Sequence, residues 1–173
     1  MSFAFYVAEL KNVLDVVGKK YSSIVLVGHS FGAPIFINFL NTQRTYLQKT
    51  KLVLWDPSLV PYKKELMDKA FVFDTQKKLY VEQNTKDPCI FNKTFYKELS
   101  EGLNTAKILR ELNCKVCIIG AEKGSAEDSK TYFTRLRNKK SSFISIISKA
   151  NHMFYGKAVQ KELFEKTLEF LQK

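Results

Sequence analysis

The segment that most constrains this chain is Ile24–Ala33, IVLVGHSFGA. Four apolar residues enter Gly28-His29-Ser30-Phe31-Gly32, and a helix-like segment leaves it. A strand that passes into a helix through one serine needs a sharp turn. Such a turn holds the serine in a strained backbone conformation and lifts its hydroxyl above the sheet. The residues two before and two after the serine pass close to each other, which accounts for glycine at both Gly28 and Gly32. The backbone N–H of Phe31 then faces a developing oxyanion, and the start of the next helix adds the positive end of its dipole. Five-residue patterns also arise by chance; the strand before this one and the helix after it give it meaning.

A chain of 173 residues has the size of one domain. It is 45% apolar and 13% aromatic, enough to build a core, with no low-complexity stretch. No run of about 18 apolar residues predicts a transmembrane helix. MSFAFYVAEL lacks a basic stretch before its apolar residues, and Glu9 interrupts it, so no signal peptide is expected. The net charge of +11 raises a nucleic-acid or anionic-membrane partner. The lysines are spread, as at Lys19-Lys20, Lys63-Lys64, Lys77-Lys78 and Lys139-Lys140, which favours a solvated surface and no nucleic acid. Three cysteines, Cys89, Cys114 and Cys117, predict free thiols in a reducing, cytoplasmic setting. Cys114-Lys115-Val116-Cys117 spells CxxC but opens an apolar strand, where neither a redox nor a zinc site is expected.

Residues 3–17 show apolar spacing of an amphipathic helix ended by Gly18. Strand 24–27 and the serine turn follow, then a helix from about Phe31 to Leu40, with Pro34 in its first turn. Lys51–Trp55 is a second strand, closed by Asp56-Pro57-Ser58. Phe71–Phe73 and Leu79–Val81 flank a polar turn and predict a hairpin. Val116–Gly120 is a third strand, followed by a polar loop from Ala121 to Asp128 and a helix with Tyr132, Phe133 and Leu136. Phe143–Ile147 is a fourth strand, Ser148–His152 a loop, and a last helix carries Val159, Leu163, Phe164 and Leu168. Alternating strands and helices predict a parallel sheet covered on both faces.

A serine hydroxyl needs a base to take its proton. Of the two histidines, His29 adjoins Ser30 on the turn and points away from the hydroxyl, which leaves His152. His152 follows the last strand, and loops at the C-terminal ends of parallel strands converge above the sheet.

The GHSFG box between strand and helix resembles the nucleophile elbow of the α/β-hydrolase superfamily, in its serine branch. The order of elements extends the resemblance over most of the chain, and the order Ser then His agrees with it. The resemblance implies a partial α/β-hydrolase fold, with a mainly parallel sheet of about four strands and flanking helices. Core segments 1–58 and 113–173 would enclose a cap insertion at 59–112, whose aromatics pack it onto the core or line a pocket. The acid is left between two positions. The usual slot reads Gly120-Ala121-Glu122-Lys123, with lysine where aspartate is expected; Glu122 precedes it, and Glu127 or Asp128 lies further on. Some members place the acid after the strand that follows the serine helix, where Asp56 stands, 26 residues after Ser30, and Asp56 is preferred.

The superfamily sheet carries strands ahead of the serine strand, and an earlier loop gives a second oxyanion donor, typically worth about 10²–10³ in rate. Here Ser30 follows a single helix, so the edge at Ile24–Val27 is expected to be unpaired. A longer reading frame, a partner chain or a second copy would complete that edge. The expectation is a serine hydrolase of a small or lipid-like ester or thioester, without metal or cofactor. Its rivals are a catalytically silent module that binds through the open edge, and an anion-binding surface protein.

Overall fold

In the computed structural model, which describes residues 2–173, the first helix α1 (Phe3–Val17) begins where the Ser2 hydroxyl accepts the Phe5 N–H. That bond satisfies one of the donors a helix start leaves open. At its other end the Gly18 N–H reaches the Leu14 carbonyl so closely that a side chain at Gly18 would strike that oxygen. The chain then enters β1 (Ile24–His29), turns at Ser30 into α2 (Gly32–Thr42), and returns through a 3₁₀ stretch to β2 (Thr50–Trp55).

The stretch of residues 56–112 connects β2 to β6. It holds α3 (Lys64–Ala70), β3 (Phe71–Asp74), β4 (Leu79–Glu82), β5 (Ile90–Asn92), α4 (Lys93–Lys97), one π turn, and α5 (Thr105–Glu111). β3 and β4 form the expected hairpin, and β5 adds a third antiparallel strand that the sequence does not announce. Only three residues long and preceded by a polar stretch with Pro88, β5 is too short to show alternation.

The chain ends with β6 (Lys115–Lys123), α6 (Ala126–Arg135), β7 (Phe143–Asn151) and α7 (Lys157–Leu171). Both strands outrun their apolar stretches. The expected loop at Ala121–Asp128 is strand through Lys123 and helix from Ala126, and that at Ser148–His152 is strand through Asn151, with Lys123 paired to Asn151 beyond an irregularity after Ala121. Pairing continues there because backbone, not side chain, makes the bonds; the polar side chains mark the end facing water.

The main sheet is all parallel, in the order β1-β2-β6-β7. Side-chain alternation splits it into two cores. Leu52, Leu54, Val116 and Ile118 face α1, α2, α5 and α6, together with Ile37, Leu109 and Tyr132. Val53, Cys117 and Ile119 face α7, with Leu163 and Phe170. Leu52 and Leu54 are fully buried, so truncating either to alanine should cost about 2–5 kcal/mol. Helix α7 covers β6 and β7 but stops short of β1, leaving Val25 and Val27 at 40% and 41% exposure on the sheet edge.

A third apolar cluster joins the inserted layer to the rest. Phe95, Tyr96 and Leu99 meet Phe3 of α1 and Phe31 of the serine turn. Tyr80 stacks flat on Tyr96 at 3.7 Å. Helix α5, although within 59–112, buries Leu109 in the main core.

Candidate active site

Ser30 has φ 53°, in the left-handed region that non-glycine residues seldom adopt. Two elements hold it there. Its N–H donates to the Trp55 carbonyl at 2.9 Å, extending the β1–β2 ladder by one step, and its own carbonyl accepts the N–H groups of Ala33 and Ser58, each at 3.2 Å. A Cβ at Gly28 would lie 2.9 Å from the Gly32 carbonyl carbon and 3.0 Å from the Ala33 nitrogen. The close approach therefore demands glycine at Gly28. At Gly32 a Cβ would meet nothing within 4 Å and φ is not left-handed, so the expectation that both glycines answer to crowding holds for one of them.

The side chains of Ser30, His152 and Asp56 come together in one line. His152 Nε2 lies 2.8 Å from Ser30 Oγ, and His152 Nδ1 lies 2.5 Å from Asp56 Oδ2. Asp56 is fully buried and, like Ser30, has a left-handed φ, 39°. Its carboxylate accepts the Ala121 N–H at 2.8 Å and the Ser125 N–H at 2.9 Å, so the loop after β6 wraps it with backbone donors. A side chain at Gly124 would overlap the carboxylate, so this glycine lets the loop close. A buried carboxylate is tolerable because every lone pair in use meets a donor.

His152 is set by a turn in which Asn151 accepts the N–H groups of Phe154 and Tyr155. The buried Phe154 anchors that turn in the α7 core. His29 points away from the serine hydroxyl, as expected; its Nε2–H donates to the His152 carbonyl at 2.7 Å, and the two rings lie 4.9 Å apart. Residue 29 thus clamps the backbone of residue 152.

The other carboxylates stand elsewhere. Glu122 is exposed and accepts the Lys149 N–H at 2.6 Å and the Ser148 hydroxyl at 3.2 Å. These bonds, the Lys149 N–H first, hold its carboxyl below the usual range. Glu127 pairs with Lys130, and Asp128 accepts the Leu59 N–H at 3.1 Å. Burial, then the neighbouring Asp56 charge, pushes Asp128 up.

Phe31 occupies the N-terminal cap of α2, with its ring against Phe3 and Phe95 at 5.4 Å from each. A cleft of about 710 Å³ lies elsewhere, between α5 and α6, where Lys107, Arg110, Arg135 and Arg137 surround it. Arg110 and Arg135 sit in the last turns of those helices, where a cation complements the negative dipole end. Four cations from two helices and their exits thus meet there, away from Ser30.

Cys114 and Cys117 are buried free thiols, pushed by burial up to about 11 and about 12. They are packing residues of β6 and its entry, as the apolar run suggests. No helix among the described residues is long and apolar enough to cross a membrane.

No family model matches the chain, and no curated protein matches it in sequence. Solved structures do match in fold. Est1E from Butyrivibrio proteoclasticus superposes with a TM-score of 0.72 over 100% of this chain and 72% of its own, at 16% identity. A monoacylglycerol lipase from Paleococcus ferrophilus gives 0.69 over 99% and 75%, at 16% identity. The α/β hydrolase GrgF from Penicillium sp. sh18 gives 0.70 over 99% and 72%, at 11% identity. The chain has the α/β-hydrolase fold. It fills about seven-tenths of the length of these neighbours.

Proposed function

We propose that this chain is a serine hydrolase that cleaves an ester or thioester of a small or lipid-like acyl group. The observation that carries the reading is the unbroken line from Asp56 Oδ2 through His152 to the Oγ of a serine held at φ 53°. In the first half-reaction Ser30 Oγ attacks the carbonyl carbon while its proton passes to His152 Nε2. Asp56 accepts the Nδ1–H and favours the charged imidazolium. The oxyanion takes a hydrogen bond from the Phe31 N–H at the positive end of α2. The tetrahedral adduct then expels the alkoxide or thiolate, which takes the proton from Nε2. Water attacks the acyl-serine by the same route in reverse, and the acid is released. The inserted layer at 59–112 serves as the cap: its aromatic cluster ends on Phe31 and so borders the acyl site, while α5 ties it to the core.

Labelling with a fluorophosphonate probe tests this directly. The wild type is expected to label and Ser30→Ala to lose labelling entirely, with hydrolysis of p-nitrophenyl acyl esters falling to background. A folded wild type that resists the probe overturns the reading.

One observation favours a second reading, a binding module without turnover. β1 is an edge strand carrying two half-exposed valines, Val25 and Val27, which is the kind of surface that accepts another strand. A partner chain or second copy paired there would give a stable oligomer by sedimentation, and serine reactivity would be absent.

A further inference from the structure

Ser58 lies two residues after Asp56 and is 8% exposed. Its Oγ is 3.3 Å from Ser30 Oγ, on a hydroxyl that none of the steps above uses. The segment that carries it is clamped on several sides. The Ser58 N–H donates to the Ser30 carbonyl at 3.2 Å. The Ser58 carbonyl accepts the hydroxyl of buried Tyr132 at 2.7 Å, and Tyr132 meets Thr105 at 2.5 Å. Thr105 in turn accepts the Val60 N–H at 3.2 Å. A serine fixed this firmly is aimed, not loose.

Beyond Ser58 stands Tyr62, whose phenol lies beside the Ser58 side chain. Burial raises the Tyr62 phenol above its ordinary value, and Asp128 adds to the rise, so the group keeps its proton. Tyr62 is also held by its own N–H, which donates to the Leu99 carbonyl of the inserted layer at 2.8 Å.

The direction of the bonds follows from counting protons. The neighbours of Asp56 are all donors, so it accepts from His152 Nδ1–H. His152 Nε2 then has only a lone pair and accepts from Ser30. The Ser30 proton is thereby committed, and Ser30 Oγ can meet Ser58 only as an acceptor. Ser58 donates to Ser30.

We propose that Ser58 is a positioning residue for the nucleophile, donating to Ser30 Oγ and holding it toward His152. The proposal rests on the serine-hydrolase reading. A hydroxyl–hydroxyl contact of 3.3 Å is weak in the resting state. It strengthens as the Ser30 proton leaves and charge builds on Oγ, because hydrogen bonds to charged acceptors are about twice as strong. Stabilisation that grows along the reaction raises the rate and not just the affinity.

The test measures fluorophosphonate inactivation across pH 6–9 for the wild type, Ser58→Ala, Ser58→Thr and Ser58→Cys, with thermal melting of each. The maximal inactivation rate is expected to fall about tenfold in Ser58→Ala, the size of one ordinary hydrogen bond, with probe affinity unchanged. Ser58→Thr, which keeps the hydroxyl, should recover most of the rate. A merely structural role for Ser58 would lower the melting temperature and leave the rate at saturating probe alone. A wild-type rate in folded Ser58→Ala overturns the proposal and leaves the serine-hydrolase reading standing. If Ser58→Ala does not fold, a wild-type rate in folded Ser58→Cys, whose thiol is only a weak donor, overturns it. A wild type that never labels overturns both.

Discussion

Asp56 and Glu122 sit at the same end of the neighbouring strands β2 and β6, and their surroundings have little in common. Asp56 is fully buried, turned by a left-handed backbone, wrapped by the Ala121 and Ser125 N–H groups, and 2.5 Å from His152. Glu122 is exposed and ties down the end of β7 through Lys149 and Ser148. The end of β6 and the turn after it do both jobs: they turn their backbone inward onto Asp56 and the Glu122 carboxylate outward onto β7. A carboxylate becomes an orienting group by being enclosed with donors on every side but one, and that last side here is His152.

Breaking the enclosed side should have the largest effect. Asp56→Asn keeps the shape but replaces an acceptor oxygen by an amide that cannot take the His152 Nδ1–H, so the imidazole loses its working tautomer. Catalytic rates are expected to fall by about 10⁴, the size seen for a comparable change in the Ser-His-Asp template. Stability should also fall, by about 1–3 kcal/mol, because an NH₂ group would face the Ser125 or Ala121 N–H in a buried place. Ester hydrolysis and urea unfolding measure the two effects separately. Next in size is Gly124→Ala. The added methyl would overlap the Asp56 carboxylate, and the loop must open to relieve it. A displacement of about 1 Å in an orienting group costs up to about 10² in rate, so the kinetics should fall well before the melting temperature shows a comparable loss.

His29→Ala sharpens the comparison from the histidine side. It removes the donor to the His152 carbonyl and frees the turn at Asn151–Phe154. A loss of about tenfold in rate is expected, the worth of one hydrogen bond. His29→Gln, which keeps an N–H donor near that carbonyl, should restore part of it. Equal activity in wild type and His29→Ala would show that the turn alone positions His152.

These residues differ in how far the sequence exposes them. Ser30 is legible because a strand, a glycine and a helix bracket it, and His152 because one competitor was disposed of by its place on the turn. The parallel core is legible because its strands are nearly continuous apolar runs. Asp56 could not be separated from Glu122 on residue type alone: both follow strands, and only the order β1-β2-β6-β7 puts Asp56 beside the serine and sends Glu122 outward. The same holds for Ser58 and Gly124, whose importance lies in what they touch across the fold. The ends of β6 and β7 were missed because polar residues at a water-facing strand end look like loop. The four-cation cleft was missed because Lys107 and Arg110 lie about 25–30 residues from Arg135 and Arg137 in the chain and meet only through the packing of α5 on α6.

The smallest effect belongs to Glu122, and it has a pH signature. Glu122→Gln should leave ester hydrolysis within about twofold of wild type, the change expected of a surface substitution remote from the reacting atoms. Its folded carboxyl lies below the unfolded value of about 4.3, because the Lys149 N–H and the Ser148 hydroxyl favour the charged form. A lowered folded value means that the bonds stabilise the protein fully above the unfolded value and are lost as pH falls through the folded one. Wild type should therefore melt above Glu122→Gln at pH 7, and the two melting curves should converge on acidification below about pH 4. Convergence with activity intact fixes Glu122 as a strand-end tie. A rate loss in Glu122→Gln as large as that in Asp56→Asn would transfer the orienting role to Glu122, and the enclosed carboxylate of β2 would be left with a structural task alone.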